Sequence, residues 1–504
     1  MSLPARIRQV LAADPDATAL EFSDRVWTWR YLADTVGQLD AALSAVGPGA
    51  SVGLLARNRP PHYAALIAVI ATGRCVVTLS PLLADRPLAG DIAGLGLHAI
   101  VGGADDLARP GIRTAAGGAA VIQLNDDGPA VAVADRGTGA GRYRPGVAIE
   151  MLSSGTTGAP KRIPLRYASL EAAYVAAGAE RGLAAGETVR LKMRPALIWS
   201  PIVHISGMYY AVDCAYTGRP AVLLERFDPE RWARAVQRHQ LYVAGLNPAA
   251  MRMVVDAGIA PERLASLAAV RSGTAATPPE LQAAFEERFG IPVLPTYGAT
   301  EFAGSVASWS LEDHRRYGQS KRGASGRPHP GIELRAVDPE TGAIRPPGAD
   351  GVLEVRADQI AAGHWIRTTD LAAIDEDGFL WIRGRADDAI VRGGFKVHPA
   401  KVEAALEAHP SVIEASVVGL PDPRVGAVPA AAVRLAAGVG DRPTPRELAE
   451  FARAGLAPYE MPVTIMIVDE LPRTPSMKVS RPALRDLLAG EAATDRSGEE
   501  KGAG

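Results

Sequence analysis

The chain has 504 residues, more than one hydrophobic core ordinarily serves, so at least two structural units are expected. Its 47% hydrophobic and 22% charged residues describe a globular protein and exclude a disordered or fibrous one. Lys plus Arg number 54 against 56 Asp plus Glu, a formal net charge of -2, which excludes recruitment of nucleic acid by a global positive field; any polyanion must be gripped locally.

From the N-terminus, residues 1–6 lack the basic-then-apolar arrangement of a secretory signal. The best apolar run, 64–71, is far short of the roughly 20 residues that span a bilayer, so a cytoplasmic protein with no membrane span is expected. A strand at 51–56, a helix at 62–72 and a strand at 75–79 come first, and the pattern repeats at 220–224, 229–239 and 241–245. This alternation predicts an α/β architecture with parallel, helix-covered sheets. The cysteines, Cys75 and Cys214, are too few for a disulfide framework, a zinc cluster or a CxxC pair, and suit a reducing compartment. Residues 109–145 are rich in Gly, Ala and Asp and predict a surface connection with little core.

Beyond Gly331, short alternating strands at 332–337, 351–356 and 379–383, divided by Pro, Gly and Asp turns, predict a β-rich subdomain. A new segment opens near Gly384, with a helix at 399–408, strands at 412–418 and 429–435 and a helix around 445–454. At roughly a hundred residues it has the size of a small domain. Residues 491–504 are polar and read as a disordered tail.

The sharpest local signal is Ser153-Ser154-Gly155-Thr156-Thr157-Gly158-Ala159-Pro160-Lys161, entered from an apolar strand at 149–152. Its glycines let successive backbone N–H groups face one anion, its hydroxyls add donors and Lys161 adds charge, which makes a phosphate loop. It is not a Walker A loop: Pro160 stands where glycine precedes the lysine, and Arg162 where Ser or Thr binds magnesium. A Ser/Gly-rich surface turn is the bland reading, at odds with so dense a run. Tyr297-Gly298-Ala299-Thr300-Glu301 follows a strand at 291–294, so an aromatic face, a hydroxyl and a carboxylate fall at a strand's carboxyl end, where α/β folds bind ligands. Asp370, Gly384-Arg385-Ala386-Asp387-Asp388 and Pro472-Arg473-Thr474-Pro475-Ser476-Met477-Lys478 complete the set. Taken singly, each is an ordinary solvated charge.

In this order, from about residue 17 to 487, the segments resemble the adenylate-forming, AMP-binding superfamily of acyl-CoA synthetases, peptide-synthetase adenylation domains and firefly-type luciferases, and among these the acid:CoA ligases. The resemblance implies an N-terminal domain, 1–386, of two α/β subdomains plus a β-barrel-like one. A mobile α+β lid, 387–490, would follow a hinge at Asp387. It also implies roles. Residues 153–161 would hold the β- and γ-phosphates of ATP. Ser272, Gly273, Thr274, Ala275 and Tyr297 would flank adenine, whose π face suits an aromatic wall. Thr300 would touch the α-phosphate, and Glu301 would bind Mg²⁺, a hard cation that prefers oxygen ligands. Asp370 and Arg385 would hold the ribose, and Lys478 would bridge substrate carboxylate and nucleotide. Gly393, Gly394 and Phe395 would line the path of coenzyme A. His204 would gate an acyl pocket whose candidate walls are Gly207, Met208, Leu246, Asn247, Gly298 and Phe302, residue types that also build cores.

The chemistry is coherent without the name. A carboxylate and ATP are both anions, so attack on the α-phosphorus needs a positive field, which Lys478, Mg²⁺ and loop amides would supply. The attacking carboxylate is already ionised, so no general base is required. Four positions depart from the family pattern: Arg162 in place of Gly, Thr369 in place of Gly, Met477 in place of Gly and Lys401 in place of Glu. They suggest an enzyme slow at adenylation that mainly thioesterifies an adenylate made elsewhere. Residues 203–206 offer no Asp to pair an amino group, which favours an apolar or aryl acid. The expectation is thus an acid:CoA ligase. Its rivals are a ligase loading a carrier protein in trans and, in another class, a non-catalytic nucleotide or acyl-binding protein. Retention of Glu301, Asp370 and Lys478 together argues against the last.

Overall fold

The computed structural model describes residues 2–126, 130–152, 161–180, 189–357, 363–436, 442–474 and 477–499. The described residues form two compact units. The first runs to Ile332 and adds 356–357 and 363–364; the second holds Glu333–Val355 and everything from Trp365 on. The fold is α/β, as the alternation of elements predicts.

The first unit is built on a seven-stranded sheet in the order Val131–Asp135, Ala120–Leu124, Ala99–Gly103, Ser51–Leu55, Cys75–Leu79, Val147–Leu152, Arg162–Arg166, parallel within and antiparallel at both edges. Every residue of Ser51–Leu55 and Cys75–Leu79 is buried, as strands covered on both faces must be. Helix Pro60–Ala71 is buried along its whole length. It packs among Leu3–Ala13, Trp29–Ala42 and Ile205–Thr217, which explains an apolar sequence with no polar face. Ala120–Leu124 corrects the expectation for 109–145: this stretch supplies a largely buried strand paired with Ala99–Gly103. Its flanking Gly and Asp residues mask a short apolar run whose burial comes from the neighbouring strand.

A second sheet sets Val243–Gly245, Ala269–Ser272 and Val293–Ala299 in parallel, then Gly304–Ser308 and Arg327–Pro328 antiparallel. A third, of four strands, joins Thr18–Phe22 and Arg25–Thr28 to Ala221–Leu223 and Ala196–Ile198. Among the described residues no helix is long and apolar enough to cross a membrane.

Chiefly in the second unit, the subdomain expected to be barrel-like is an open four-stranded sheet, Ile332–Val337, Gly351–Ala357, Ile366–Ile374 and Leu380–Arg385. No sheet closes into a barrel among the described residues. The C-terminal α+β part sets Val412–Asp422 against Gly426–Leu435 in a long hairpin. Helix Pro399–Glu407 buries Val402 and Leu406 against it. Helix Pro445–Ala452 starts at a capping box, in which Thr444 and Glu447 satisfy each other's backbone N–H groups. Helix Arg481–Glu499 buries Leu484 and Leu488 against Val418, Leu420 and Val428, and it carries helix into the polar stretch that composition reads as a tail.

Candidate functional site

In the first unit three chain reversals meet at one edge. The parallel strands Val243–Gly245, Ala269–Ser272 and Val293–Ala299 run side by side, so Leu246 and Asn247, then Gly273 to Ala275, then Thr300 and Glu301 all leave from carboxyl ends. Three of the segments read as nucleotide or acyl contacts are therefore neighbours by topology. Ser272 is buried and its hydroxyl accepts from Thr277 Oγ1 at 2.9 Å, so it braces the loop from within. Gly273 is a packing requirement: a Cβ there would lie 2.6 Å from Thr296 Oγ1. Thr274 and Ala275 are exposed, Thr274 in the left-handed region at φ 71°.

Tyr297 and Gly298 lie on the last turn-ward residues of Val293–Ala299, paired with Ala307 and Ser305. A Cβ at Gly298 would stand 2.2 Å from the Gly304 carbonyl oxygen, so only glycine lets the strands approach, and its other face is bare to solvent. Thr300–Phe302 forms a 3-10 turn that buries Phe302 and exposes Glu301, and it packs against strand Arg162–Arg166. The turn that holds the carboxylate read as a metal ligand thus packs on the strand that follows the segment read as a phosphate loop.

Ser153, Ser154, Gly155, Thr156, Thr157 and Gly158 lie outside the described residues. Their frame is described: Leu152 pairs with Arg162, and Lys161 is exposed. Pro164 is tolerated because Arg162–Arg166 is an edge strand. Arg162, expected to hinder the loop, is anchored. Its Nη2 meets Asp91 Oδ2 at 2.7 Å with both side chains nearly buried, and its Nη1 donates to the Thr78 carbonyl at 3.3 Å.

His204 occupies the N-cap position of helix Ile205–Thr217, which packs on strand Gly304–Ser308. Gly207 is fixed by close approach, since a Cβ would fall 2.4 Å from the Ser200 and Pro201 carbonyl oxygens. Met208, Leu246 and Phe302 are buried, and Asn247 caps helix Pro248–Asp256 by accepting from Ala250 N at 2.8 Å. Most of the pocket candidates thus have structural work. Asn58, missed in the sequence, organises the approach to His204. Its Nδ2 donates to the Ser200 and Leu224 carbonyls at 3.0 Å each, and its Oδ1 accepts from Ile202 N at 2.8 Å. Nothing in the local pattern around Asn58 signals that job, because its partners lie far along the chain.

In the second unit, Asp370 and Arg385 face each other across strands Ile366–Ile374 and Leu380–Arg385. Arg385 donates to Asp387 through Nε and Nη2 at 2.9 and 2.8 Å and to the Thr369 hydroxyl at 2.5 Å. The bond to Asp387 foremost, and the charges of Asp387, Asp370 and Asp388, raise its pKa and keep it cationic. Thr369 is therefore a ligand for Arg385, and the Asp370 N–H is satisfied by Thr368 Oγ1 at 3.0 Å. Lys478 lies on a tight turn in which Thr474 N donates to the Lys478 carbonyl at 2.7 Å and Met477 holds φ 66°. The Lys478 side chain keeps solvent-exposed surface, yet surrounding protein lowers its pKa first by desolvation and then through Arg385, while Asp370 opposes the shift. Ribose candidates and late lysine thus share one electrostatic environment.

Gly393 and Gly394, at φ 58° and 88°, form the two-residue turn of the hairpin Ile390–Arg392 and Phe395–Val397, a geometry that needs positive φ at both positions. Phe395 is exposed and stacks on Tyr459 at 4.7 Å. Lys401 is compensated: its Nζ meets both Glu460 carboxylate oxygens at 2.8 and 2.7 Å. As for metal, no group of three or more His, Cys, Asp or Glu could hold an ion among the described residues. Glu301 offers one exposed carboxylate, a donor set that fits Mg²⁺ bound mainly through phosphate oxygens and water.

The sequence matches the AMP-binding enzyme family over residues 7–365 and the AMP-binding enzyme C-terminal domain over residues 401–478. The 2-succinylbenzoate–CoA ligase of Geobacillus kaustophilus is 32% identical over 360 residues, 68% of this chain and 69% of that protein. The fatty acid–[acyl-carrier-protein] ligase ScoC of Streptomyces coeruleorubidus is 30% identical over 68% of each. The amide bond synthetase McbA from Marinactinospora thermotolerans superposes with a TM-score of 0.79 at 28% identity, over 96% of this chain and 99% of its own.

Proposed function

The chain belongs to the AMP-binding enzyme family, and we propose that it activates an aryl carboxylic acid with ATP as an acyl-AMP and passes the acyl group to the thiol of coenzyme A. The observation that supports this reading most is the packing of the Thr300–Phe302 turn, which includes Glu301, against strand Arg162–Arg166, the strand directly after the segment we read as a phosphate loop. The 2-succinylbenzoate specificity of relatives supports an aryl acid.

In the first half-reaction the substrate carboxylate attacks the α-phosphorus and pyrophosphate leaves. Lys161 and the 153–158 loop hold the outgoing phosphates, and Thr300 and Lys478 offset charge on the α-phosphoryl oxygens and the nucleophile. Glu301 would hold a magnesium ion, which when bound would supply charge neutralisation. Asp370 accepts hydrogen bonds from the ribose hydroxyls, with Arg385 beside it, while Tyr297, Gly273, Thr274 and Ala275 border adenine. In the second half-reaction a thiolate attacks the acyl carbonyl and AMP departs. Lys478 has no part in that step, so a lid hinged at Asp387 turns it away and brings Gly393, Gly394 and Phe395 to the pantetheine arm. Fixing Arg162 on Asp91 and Lys401 on Glu460 removes two reasons to expect weak adenylation.

A panel of aryl and apolar acids, assayed separately for acid-dependent pyrophosphate release and for thioester formation, tests the proposal. Release and thioester with an aryl acid are expected; ATP hydrolysis to ADP, or no response to any acid, would reject it. Transfer to an amine is a second reading, favoured by the 28% identity with an amide bond synthetase, and amide in place of thioester would establish it. In either case Lys478→Ala should depress adenylation far more than acyl transfer from supplied acyl-AMP.

A further inference from the structure

Consecutive aspartates after the antiparallel sheet of the second unit hold two different arginines. Asp387 takes Arg385. Asp388 takes Arg481, whose Nη1 donates to Oδ2, and Arg385 Nε stands 4.0 Å from that same oxygen. The Asp388 side chain is 5% exposed and that of Arg481 25%, so this is a largely desolvated pair. Arg481 comes three residues after Lys478 and opens the C-terminal helix.

The lysine turn is stapled on both sides. Before it, Arg473 Nη2 donates to both Glu414 carboxylate oxygens at 2.9 and 2.6 Å, anchoring the turn to strand Val412–Asp422. Within it, Arg473 Nη1 donates to the Met477 carbonyl at 3.1 Å, Arg473 bridges Val479, and Ser480 N donates to the Pro472 carbonyl at 2.7 Å. After it, Arg481 pairs with Asp388. A second carboxylate, Glu403, lies within electrostatic reach: desolvation raises its pKa and Arg481 opposes the rise.

We infer that the Asp388–Arg481 ion pair positions Lys478 for adenylate formation, tying the exit of the lysine turn to the residue beside the proposed hinge. This rests on the ligase reading above. Both partners follow Asp387, so on that reading the clasp travels with the lid, whereas the Arg385–Asp387 pair spans the pivot. Loss of the clasp frees the start of the helix and lets the base of the turn shift. A displacement of about 1 Å at a reacting group costs on the order of a hundredfold in rate. A clasp that merely stabilises the lid would instead lower both half-reactions together.

The test uses the full chain with Arg481→Gln, Asp388→Asn and Arg481→Lys, each with its melting temperature. Three quantities are read: acid-dependent ATP–pyrophosphate exchange, thioester formation from supplied aryl-adenylate and coenzyme A, and the pH midpoint of Lys478 acylation followed by mass spectrometry. Arg481→Gln and Asp388→Asn should lose at least about tenfold in exchange and stay within about threefold in acyl transfer. Their Lys478 labelling midpoint should rise toward that of an ordinary lysine, because the released amine regains water and leaves Arg385. Arg481→Lys should stay near the parent in all three. Equal losses in both half-reactions, unchanged exchange, or an unmoved midpoint would overturn the inference. Should the parent show no exchange with any acid, the ligase reading falls and the midpoint alone decides the positioning role. Should Arg481→Gln fail to fold, Asp388→Asn decides in its place.

Discussion

Asp91→Ala is a strong probe of how this chain manages an arginine directly after Lys161, the lysine proposed to hold phosphate. Arg162 and Asp91 meet at 2.7 Å with side chains only 14% and 12% exposed. Removing one partner from a buried pair costs about 3–5 kcal/mol, because the other charge stays desolvated. The residual exposure and the Thr78 carbonyl, which still accepts from Arg162, reduce the expected loss to about 2–3 kcal/mol. Replacing both partners, Asp91→Leu with Arg162→Met, removes the orphaned charge and should return stability to within about 1 kcal/mol of the parent. Urea unfolding followed by tryptophan fluorescence reads both stabilities, and the dependence of pyrophosphate exchange on ATP concentration reads the KM for ATP. The single variant should raise the KM for ATP, since the exit of the loop loses its tether beside Lys161. A loss below about 0.5 kcal/mol in the single variant, or a double variant as unstable as the sum of its parts, would refute the reasoning.

Met477 holds φ 66°, where a residue with a Cβ is strained by about 1–2 kcal/mol, so Met477→Gly should stabilise the second unit by up to about 1 kcal/mol after the entropic cost of glycine, without loss of adenylation. Thermal melts and exchange assays check both halves of that statement. His62 is buried with its Nδ1 2.8 Å from the Leu55 carbonyl, and burial lowers its pKa to about 4 from the ordinary 6.5. The unfolded chain therefore binds the proton more tightly, and stability should fall as pH drops from 6.5 toward 4. The loss is about 1.4 kcal/mol for each pH unit between the two values, about 3 kcal/mol in all. Urea midpoints measured against pH should lose that slope in His62→Gln. On the proposed mechanism the Lys478 ammonium serves adenylation, and burial, then Arg385, lowers its pKa, so the alkaline limb of the exchange rate should fall below the ordinary lysine value of 10.5 and move upward in Arg385→Met, which removes a cation that lowers it. A pH–rate profile with an unmoved limb would count against the coupling.

Local pattern carried much of the fold and of the candidate site, and it failed where partners are distant in sequence. The strands at 51–55 and 75–79 and the helix at 229–239 are legible because apolar period and turn residues coincide. The segments at 245–247, 272–275 and 297–301 gather at one sheet edge because parallel strands return every chain reversal to the same side. Arg162 and Lys401 look like defects in one dimension because their partners, Asp91 and Glu460, are 71 and 59 residues away. Thr369 reads as an obstacle to Asp370 until its hydroxyl is found on Arg385. Asn58 and Arg481 carry no motif of their own, and only the fold assigns them partners. Several acyl-pocket candidates proved to have packing or capping duties, since Gly, Met and Asn at such positions satisfy backbone constraints as readily as ligands.

The most direct test of adenylate formation follows oxygen. An aryl acid labelled with ¹⁸O in its carboxylate is incubated with the protein, ATP, magnesium and coenzyme A, and the nucleotide products are weighed by mass spectrometry. Attack of the carboxylate on the α-phosphorus leaves one labelled oxygen in AMP as the thioester forms. Label appearing in inorganic phosphate alongside ADP, or AMP without label, would contradict the account.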